Sequence, residues 1–372
     1  NIYIGRQAGP QNADSDAEHN IALGHCSGGK ITDGDYNVFL GYYAARQISG
    51  TATCNVAIGP HAGGGKSASD GGTGDNNVSI GNCAGGLLED GGYNVFIGQY
   101  AGYSNVDGNG LIAIGRNAGY TDTGSNSSTY IGRDAGKYST NAASYNTYIG
   151  AEAGCKGTTC FGNVFIGAYV GNNGTLGPSC QNVMIGQNAG RRVCAAKTNV
   201  YIGFGAGSCD ADGCDNVFIG RYAGKGTASC ANSKIGATNV GVGDRAGCKL
   251  IGGNFNTMVG GSAGSAITTG CYNSIFGYAA GDAISTGCCN VAIGYGADVA
   301  SATGNCQLAI GIAANNWITG DSSFNTTISG IATVYSATGI VSATKFCGDG
   351  SCLSGTGFTE DADGNLVAGT SS

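Results

Sequence analysis

Two carboxylates occupy equivalent places in successive copies of a short repeat. Asp134 and Glu152 each lie two residues after the glycine that ends an Ile-Gly pair. If the repeats stack, the carboxyl groups approach the separation of about 5 Å that retaining glycosidases use. Arg133 lies beside them, however, and a solvated ion pair is the interpretation that we favour. A glycan-cleaving site is therefore the lesser alternative.

Other sequences that resemble catalytic or nucleotide-binding motifs fail on spacing. Residues 59–67 resemble a phosphate-binding loop, but Pro60 stands five residues before Gly65, where the motif requires glycine. The three histidines occupy different positions of the repeat and do not converge with a serine or cysteine; they are His19, His25 and His61. We therefore predict no enzyme activity and no cofactor.

One acidic segment resembles the start of a calcium loop. Residues 361–365 read D-A-D-G-N, but the segment lacks the glycine at the sixth loop position and the distal glutamate. A turn is the better interpretation, so we assign no metal ligands.

Seventeen cysteines accompany only three histidines, which favours extracellular disulfides over zinc sites. Three pairs have the spacing C-x4-C and would each close one loop: Cys155 with Cys160, Cys209 with Cys214, and Cys347 with Cys352. Stacking of neighbouring loops would bring together Cys180 with Cys194, Cys230 with Cys248, and the series Cys271, Cys288, Cys289 and Cys306. The odd number leaves at least one thiol free or bonded between chains, and Cys83 is the candidate.

All these residues are positioned by a repeat with the consensus N-V-x-I-G-x-x-A-G. Its first glycine recurs from Gly5 to Gly330, and 11 of the 18 spacings are 17 residues. Such a period predicts an all-β parallel β-solenoid or β-roll, in which each coil buries its apolar side chains only when neighbours stack on it. Residues 1–330 would form about 19 coils and a rod of roughly 86 Å.

The end of the chain departs from this period. Residues 331–364 read as an extended connector, and residues 365–372 restate the consensus loosely as the start of a possible further repeat run. The chain also begins inside a repeat, so we expect both ends to be cuts in a longer protein.

Alternation along each strand divides the coil into two faces. Counting the closing glycine as position 0, we assign the Val/Ile residues at −3 and −1, such as Val164 and Ile166, to the interior. Position −2 would then face outward, although it holds large aromatic residues. We predict that this column packs against partner chains; the interface candidates are Tyr130, Tyr148, Phe165, Tyr201 and Phe218.

Position −4 is asparagine in 15 of 19 repeats. Coils about 4.8 Å apart would align these amides into a hydrogen-bonded ladder. The ladder would include Asn37, Asn94, Asn146, Asn163, Asn216 and Asn290.

Composition excludes several kinds of partner. Charged residues make up 11% of the chain, the net charge is −7, and there is no basic run, so we expect no binding to nucleic acid. No apolar run approaches the 18 residues of a membrane span, so we expect no membrane insertion.

The repeat resembles those of trimeric autotransporter adhesin heads, which are left-handed parallel β-rolls. Repeat and connector together are similar to tail-fibre and fibrous structural proteins of marine, cyanophage-like tailed phages. The resemblance implies homotrimeric fibres, contacts with other fibre or virion proteins, and attachment to a host-surface glycan or protein. It transfers no catalytic residue, and the many cysteines depart from adhesin heads.

The predicted function is therefore a virion or extracellular fibre shaft that presents a receptor-binding tip. A bacterial surface adhesin or extracellular filament is the alternative, and a glycan-cleaving tailspike is the lesser one.

Overall fold

A computed structural model of the chain describes residues 1–10, 16–64, 74–140, 144–156, 161–172, 180–226, 235–313, 315–328, 332–335, 340–342, 358–360 and 366–368. Every regular element in these segments is a β-strand. The strands are β1 (Ile2–Ile4), β2 (Ile21–Leu23), β3 (Lys30–Ile31), β4 (Val38–Leu40), β5 (Ser49–Gly50), β6 (Val56–Ile58), β7 (Val78–Ile80), β8 (Val95–Ile97), β9 (Ile112–Ile114), β10 (Thr129–Ile131), β11 (Thr147–Ile149), β12 (Val164–Ile166), β13 (Val183–Ile185), β14 (Val200–Ile202), β15 (Val217–Ile219), β16 (Val240–Val242), β17 (Thr257–Val259), β18 (Ser274–Phe276), β19 (Val291–Ile293), β20 (Leu308–Ile312), β21 (Asn315–Gly320), β22 (Thr326–Ile328), β23 (Ala332–Tyr335), β24 (Ile340–Ser342), β25 (Phe358–Glu360) and β26 (Leu366–Ala368).

Eighteen of these strands, β1, β2, β4 and β6 to β20, form one parallel ladder. Each strand pairs with the corresponding strand of the next coil, and the central residues always face each other, as in Tyr148↔Phe165. At about 4.8 Å per step, the 17 steps of the ladder span roughly 82 Å. The fold is therefore the predicted all-β parallel β-solenoid.

The interior of the coil is the opposite of the predicted one. The aromatic residues at position −2 are buried inside the single chain, with 0% exposure for Tyr130, Tyr148, Tyr201 and Phe218 and 4% for Phe165. The Val/Ile residues at −3 and −1 lie on the outer face and are partly exposed. The interface assigned to the aromatic column was therefore wrong.

The small residues that follow the closing glycine of each repeat explain this arrangement. Position +3, mostly alanine, is buried, and position +4 is usually a glycine with positive φ. A Cβ on Gly224 would lie 2.3 Å from the ring of Phe218, and one on Gly154 would lie 2.5 Å from the ring of Tyr148. The absence of side chains there provides the space that the large rings fill.

A third buried column lies at position +7, which the sequence interpretation did not identify. It holds aliphatic side chains in several coils, including Leu88, Leu250, Ile267 and Ile284. In two coils it holds the buried acids Asp122 and Asp210. The core is thus lined by positions −2, +3 and +7, together with the asparagines at −4.

The asparagines form a hydrogen-bonded ladder along the axis. The side-chain oxygen of Asn146 accepts the backbone N–H of Asn163 at 2.9 Å, and that of Asn163 accepts the N–H of Asn182 at 3.0 Å. The side-chain nitrogen usually donates to a backbone carbonyl of the next coil, as from Asn94 to Gly108 at 2.7 Å. Because both ends of each amide are bonded, the polar group is buried without orphaned atoms.

Parallel pairing ends at β20, and residues 315–328 form antiparallel strands in place of the nineteenth coil that the sequence predicts. β21 pairs antiparallel with β20, and β22 with β21. In this coil, position +4 is Asn315 instead of glycine, and the chain continues there as an extended strand. Gly330 and most of residues 331–372 lie outside the described residues; β23 pairs with β24 and β25 with β26, both antiparallel.

Candidate functional site

The outer face of the sheet is the most extensive surface feature of the described chain. We define the outer strip as the first and third residues of each of the 18 strands in the parallel ladder. The third residue is Ile, Leu, Val or Phe in every strand, and the first is apolar in all but four, Thr129, Thr147, Thr257 and Ser274. No charged side chain occurs in the strip.

The strip is partly exposed along its whole length. Most of its side chains are of intermediate exposure, while Ile219, Phe276 and Ile293 reach 37%, 42% and 38% and the terminal Ile2 and Ile4 reach 53% and 63%. A strip about 82 Å long and 7 Å wide covers roughly 550 Å². That is at the upper end of the apolar patches that monomeric soluble proteins leave exposed. The strip is therefore a long, uncharged and apolar surface of the described chain.

Exposed aromatic residues flank the strip in sequence toward the C-terminal end of the array. Phe255 and Tyr272 precede their strands and stack with ring centroids 4.9 Å apart. Tyr278 and Tyr295 follow their strands and stack at 5.6 Å. All four are between 49% and 60% exposed.

The predicted carboxylate pair forms an ion-pair network. Arg133 donates to Asp134 at 2.7 Å and to Glu152 at 2.9 Å. Desolvation raises the pKa of Asp134, but the hydrogen bond from Asn117 and the charges of Lys137 and Arg133 together lower it below its usual value. A glycosidase acid needs the opposite shift. The arrangement therefore fits the ion pair that the sequence favoured, although Asp134 is buried, at 7% exposure, and is not solvated as expected.

The described cysteines do not form the predicted disulfides. Free thiols are found at Cys26, Cys54, Cys83, Cys155, Cys180, Cys194, Cys214, Cys248, Cys271, Cys288, Cys289 and Cys306. A thiol that is free in this structure takes part in no disulfide there, and this also holds for all four members of the series Cys271, Cys288, Cys289 and Cys306. The predicted bonds of Cys155 with Cys160, Cys209 with Cys214, Cys180 with Cys194, and Cys230 with Cys248 were therefore wrong for this structure.

One of these free thiols has a hydrogen-bond partner of its own. The Cys214 thiol donates to the Asp212 carbonyl at 3.7 Å instead of bonding to Cys209. Two of the expected partners, Cys160 and Cys230, lie outside the described residues. The third C-x4-C pair, Cys347 with Cys352, also lies outside them, so that bond stays a prediction.

Buried acids form the most perturbed electrostatic sites. Asp210 accepts the hydroxyl of Tyr201 and the backbone N–H groups of Gly213 at 2.9 Å and Ile235 at 3.2 Å. Burial raises its pKa to about 6 despite these bonds. Asp122 accepts the hydroxyl of Tyr130 at 3.1 Å, and burial likewise raises its pKa. No sequence motif marked these acids, because position +7 changes between aliphatic and polar residues from coil to coil, as at Leu88, Asn105 and Asp122.

Asp210 predicts a specific pH dependence of stability. Its folded pKa of about 6 exceeds the usual value of 3.8, so the folded state binds a proton that the unfolded chain releases between these values. Raising the pH through this window should therefore lower the free energy of unfolding, by about 3 kcal/mol for this group. Asp210→Asn should remove that contribution, which unfolding midpoints measured by circular dichroism between pH 4 and 7 would reveal.

The matched control is Asp134→Asn. Because the folded pKa of Asp134 is lowered, its contribution to stability is present above the unfolded pKa and is lost as the pH falls. The two variants should change the pH profile in opposite directions. Identical profiles for wild type and Asp210→Asn would contradict the assignment.

The remaining candidate chemistry gives no site. Residues 361–365 lie outside the described part of the chain. Among the described residues, no three His, Cys, Asp or Glu side chains are grouped so that they could hold a metal ion. The same residues include no helix of a length and hydropathy that would cross a membrane. In comparisons with protein families, curated proteins and solved structures, no match to this chain was found.

Proposed function

We propose that the chain is the shaft of an extracellular or virion fibre, which associates through its outer strip into a homotrimer and holds a receptor-binding tip at a distance. The observation that carries this proposal is the combination of a continuous parallel array with an uncharged apolar strip along its whole length. Phage tail fibres and fibrous appendages need such a rod. Its partners would be sister chains, other fibre or virion proteins, and a host-surface glycan or protein.

The size of the strip supports association. Two facing strips would bury about 1,100 Å² in total, which reaches the lower limit for a specific protein interface. No like charges would meet when copies converge, because the strip has no charged side chain. The strip is also only two side chains wide, so three copies fit around a common axis. A bacterial surface adhesin or filament would use the same surface.

Lysine substitutions in the outer strip test the proposal. Ile114, Ile166 and Ile219 belong to well-separated coils, and each is the last residue of its strand. The triple variant Ile114→Lys, Ile166→Lys, Ile219→Lys should be monomeric in analytical ultracentrifugation, because three buried ammonium groups per chain would meet at the axis. Circular dichroism should still show the folded β-solenoid, since these side chains point away from the core.

The control carries valine at the same three positions. It keeps the β-branched shape and the apolar surface, so it should associate as the wild type does. A monomeric wild type would contradict the proposal, and so would a lysine variant that associates as the wild type does.

A further inference from the structure

Four cysteines of the last three parallel coils lie in equivalent turns, just before the strand of each coil. Cys271 and Cys288 occupy position −6 of successive coils, and Cys289 and Cys306 occupy position −5. The backbone N–H of Cys289 donates to the Cys271 carbonyl, and that of Cys306 to the Cys288 carbonyl, both at 2.9 Å. These bonds fix the coils in direct register, so equivalent residues lie about 4.8 Å apart.

The two columns differ in what the thiols contact. The Cys288 sulfur accepts the backbone N–H of Cys271 at 3.2 Å, and the Cys271 sulfur accepts that of Asn254 at 3.3 Å. Both therefore serve as acceptors between coils. The Cys289 thiol instead lies beside that of Cys306, and burial together with this neighbouring thiol raises the pKa of Cys289. Cys289 is exposed and Cys306 is partly exposed, so a reagent in solution reaches this pair.

We propose that Cys289 and Cys306 form a disulfide that clamps the last two coils together under oxidising conditions. The expected separation of their Cα atoms lies within the range of about 4.4–6.8 Å that disulfides use. With glutathione disulfide as the oxidant, the thiolate of one cysteine attacks and releases one glutathione thiol. The second cysteine then displaces the other, so two protein thiols are oxidised and one glutathione disulfide is reduced to two thiols.

The bond would lie at the junction between the parallel array and the antiparallel strands. The coil of Cys306 has a parallel neighbour on one side only, and on the other side its strand β20 pairs antiparallel with β21. A covalent bond between the last two parallel coils would oppose local opening at this junction.

The unique tryptophan provides a local probe for the test. Trp317 lies in β21, whose neighbouring residues pair with β20. After treatment of the full chain with glutathione disulfide, the Trp317 fluorescence transition should shift upward by roughly 10 °C, and dithiothreitol should reverse the shift. Cys289→Ser should abolish it. Cleavage by chymotrypsin after Tyr278 and Tyr295 would separate the two cysteines, and fragmentation of the linked peptides should assign the bond to Cys289 rather than Cys288.

Cys54→Ser is the matched control. Cys54 occupies the same position −5, is also exposed and has the same positive φ of about 60°, but no cysteine lies at −5 in the adjacent coils. This variant should keep the full redox shift. Unlinked Cys289 and Cys306 after oxidation, a bond that maps to another pair, or a transition that is insensitive to oxidation would overturn the proposal.

Discussion

Replacing Phe218 by alanine is expected to lower the free energy of unfolding by about 3 to 5 kcal/mol, because the ring is fully buried. The ring packs on the backbone at Gly224 and also occupies the space beside Gly241, the residue that pairs with it in the next coil. No neighbouring side chain at that position can collapse into the cavity. We therefore expect the upper part of this range, measured by chemical denaturation.

The control for Phe218 is Phe255→Ala, since Phe255 is 49% exposed and should change stability by at most about 1 kcal/mol. Chain association should persist in both variants under conditions where they are folded. If Phe218→Ala instead dissociated the chains and left their unfolding midpoint unchanged, the aromatic column would be the interface after all.

Replacing Asn256 by alanine is expected to cost roughly 4 kcal/mol, because several buried polar groups lose their partners. Its side-chain oxygen accepts the backbone N–H of Asn273 at 3.0 Å, and its side-chain nitrogen donates to the carbonyl of Gly270 at 2.8 Å. Both groups lie in the interior, where water cannot replace the lost bonds. Thermal and denaturant unfolding would measure the loss.

Asn109→Ala provides the comparison for the ladder. Asn109 also accepts a backbone N–H from the adjacent coil, that of Gly92 at 2.8 Å, but its side chain is exposed. Water can take over this bond, so the expected cost is no more than about 1 kcal/mol. Equal losses in the two variants would show that burial does not determine the strength of the ladder.

Periodicity predicted the coil, because a fixed spacing of glycine and asparagine has few structural explanations other than stacking. It did not predict which side of the strand faces the core. Alternation separates Tyr148 from Thr147 and Ile149 but is unchanged when the two faces are exchanged. Deciding between the two faces requires the size of the space inside the coil that each face of the strand would have to fill. The glycines at +4, such as Gly154, leave room that only large side chains fill, whereas the Val/Ile residues suit a flat face.

The buried acids and the end of the array were harder to predict for different reasons. Asp210 lies in a turn-rich segment, where an aspartate is usually exposed to solvent or hydrogen-bonded within the turn. Only its contact with Tyr201 identifies it as a core residue. The change at Asn315 affects one position of the repeat. Position +4 is also not glycine at Ala45 and Asp298, where parallel pairing continues, so this one change could not mark the end of the array in the sequence.

The segments that connect successive strands of the ladder vary in length, but the strand register does not change with them. Val56 pairs with Val78 across 22 residues and Val217 with Val240 across 23, yet the central residues remain aligned as they are across 17. Each coil therefore presents the same two surfaces to its neighbours. Duplication or loss of whole units in the gene would add or remove about 4.8 Å of reach without a new interface. The number of repeats thus sets the length of the rod, and a change in length needs no change in the sequence of any single repeat.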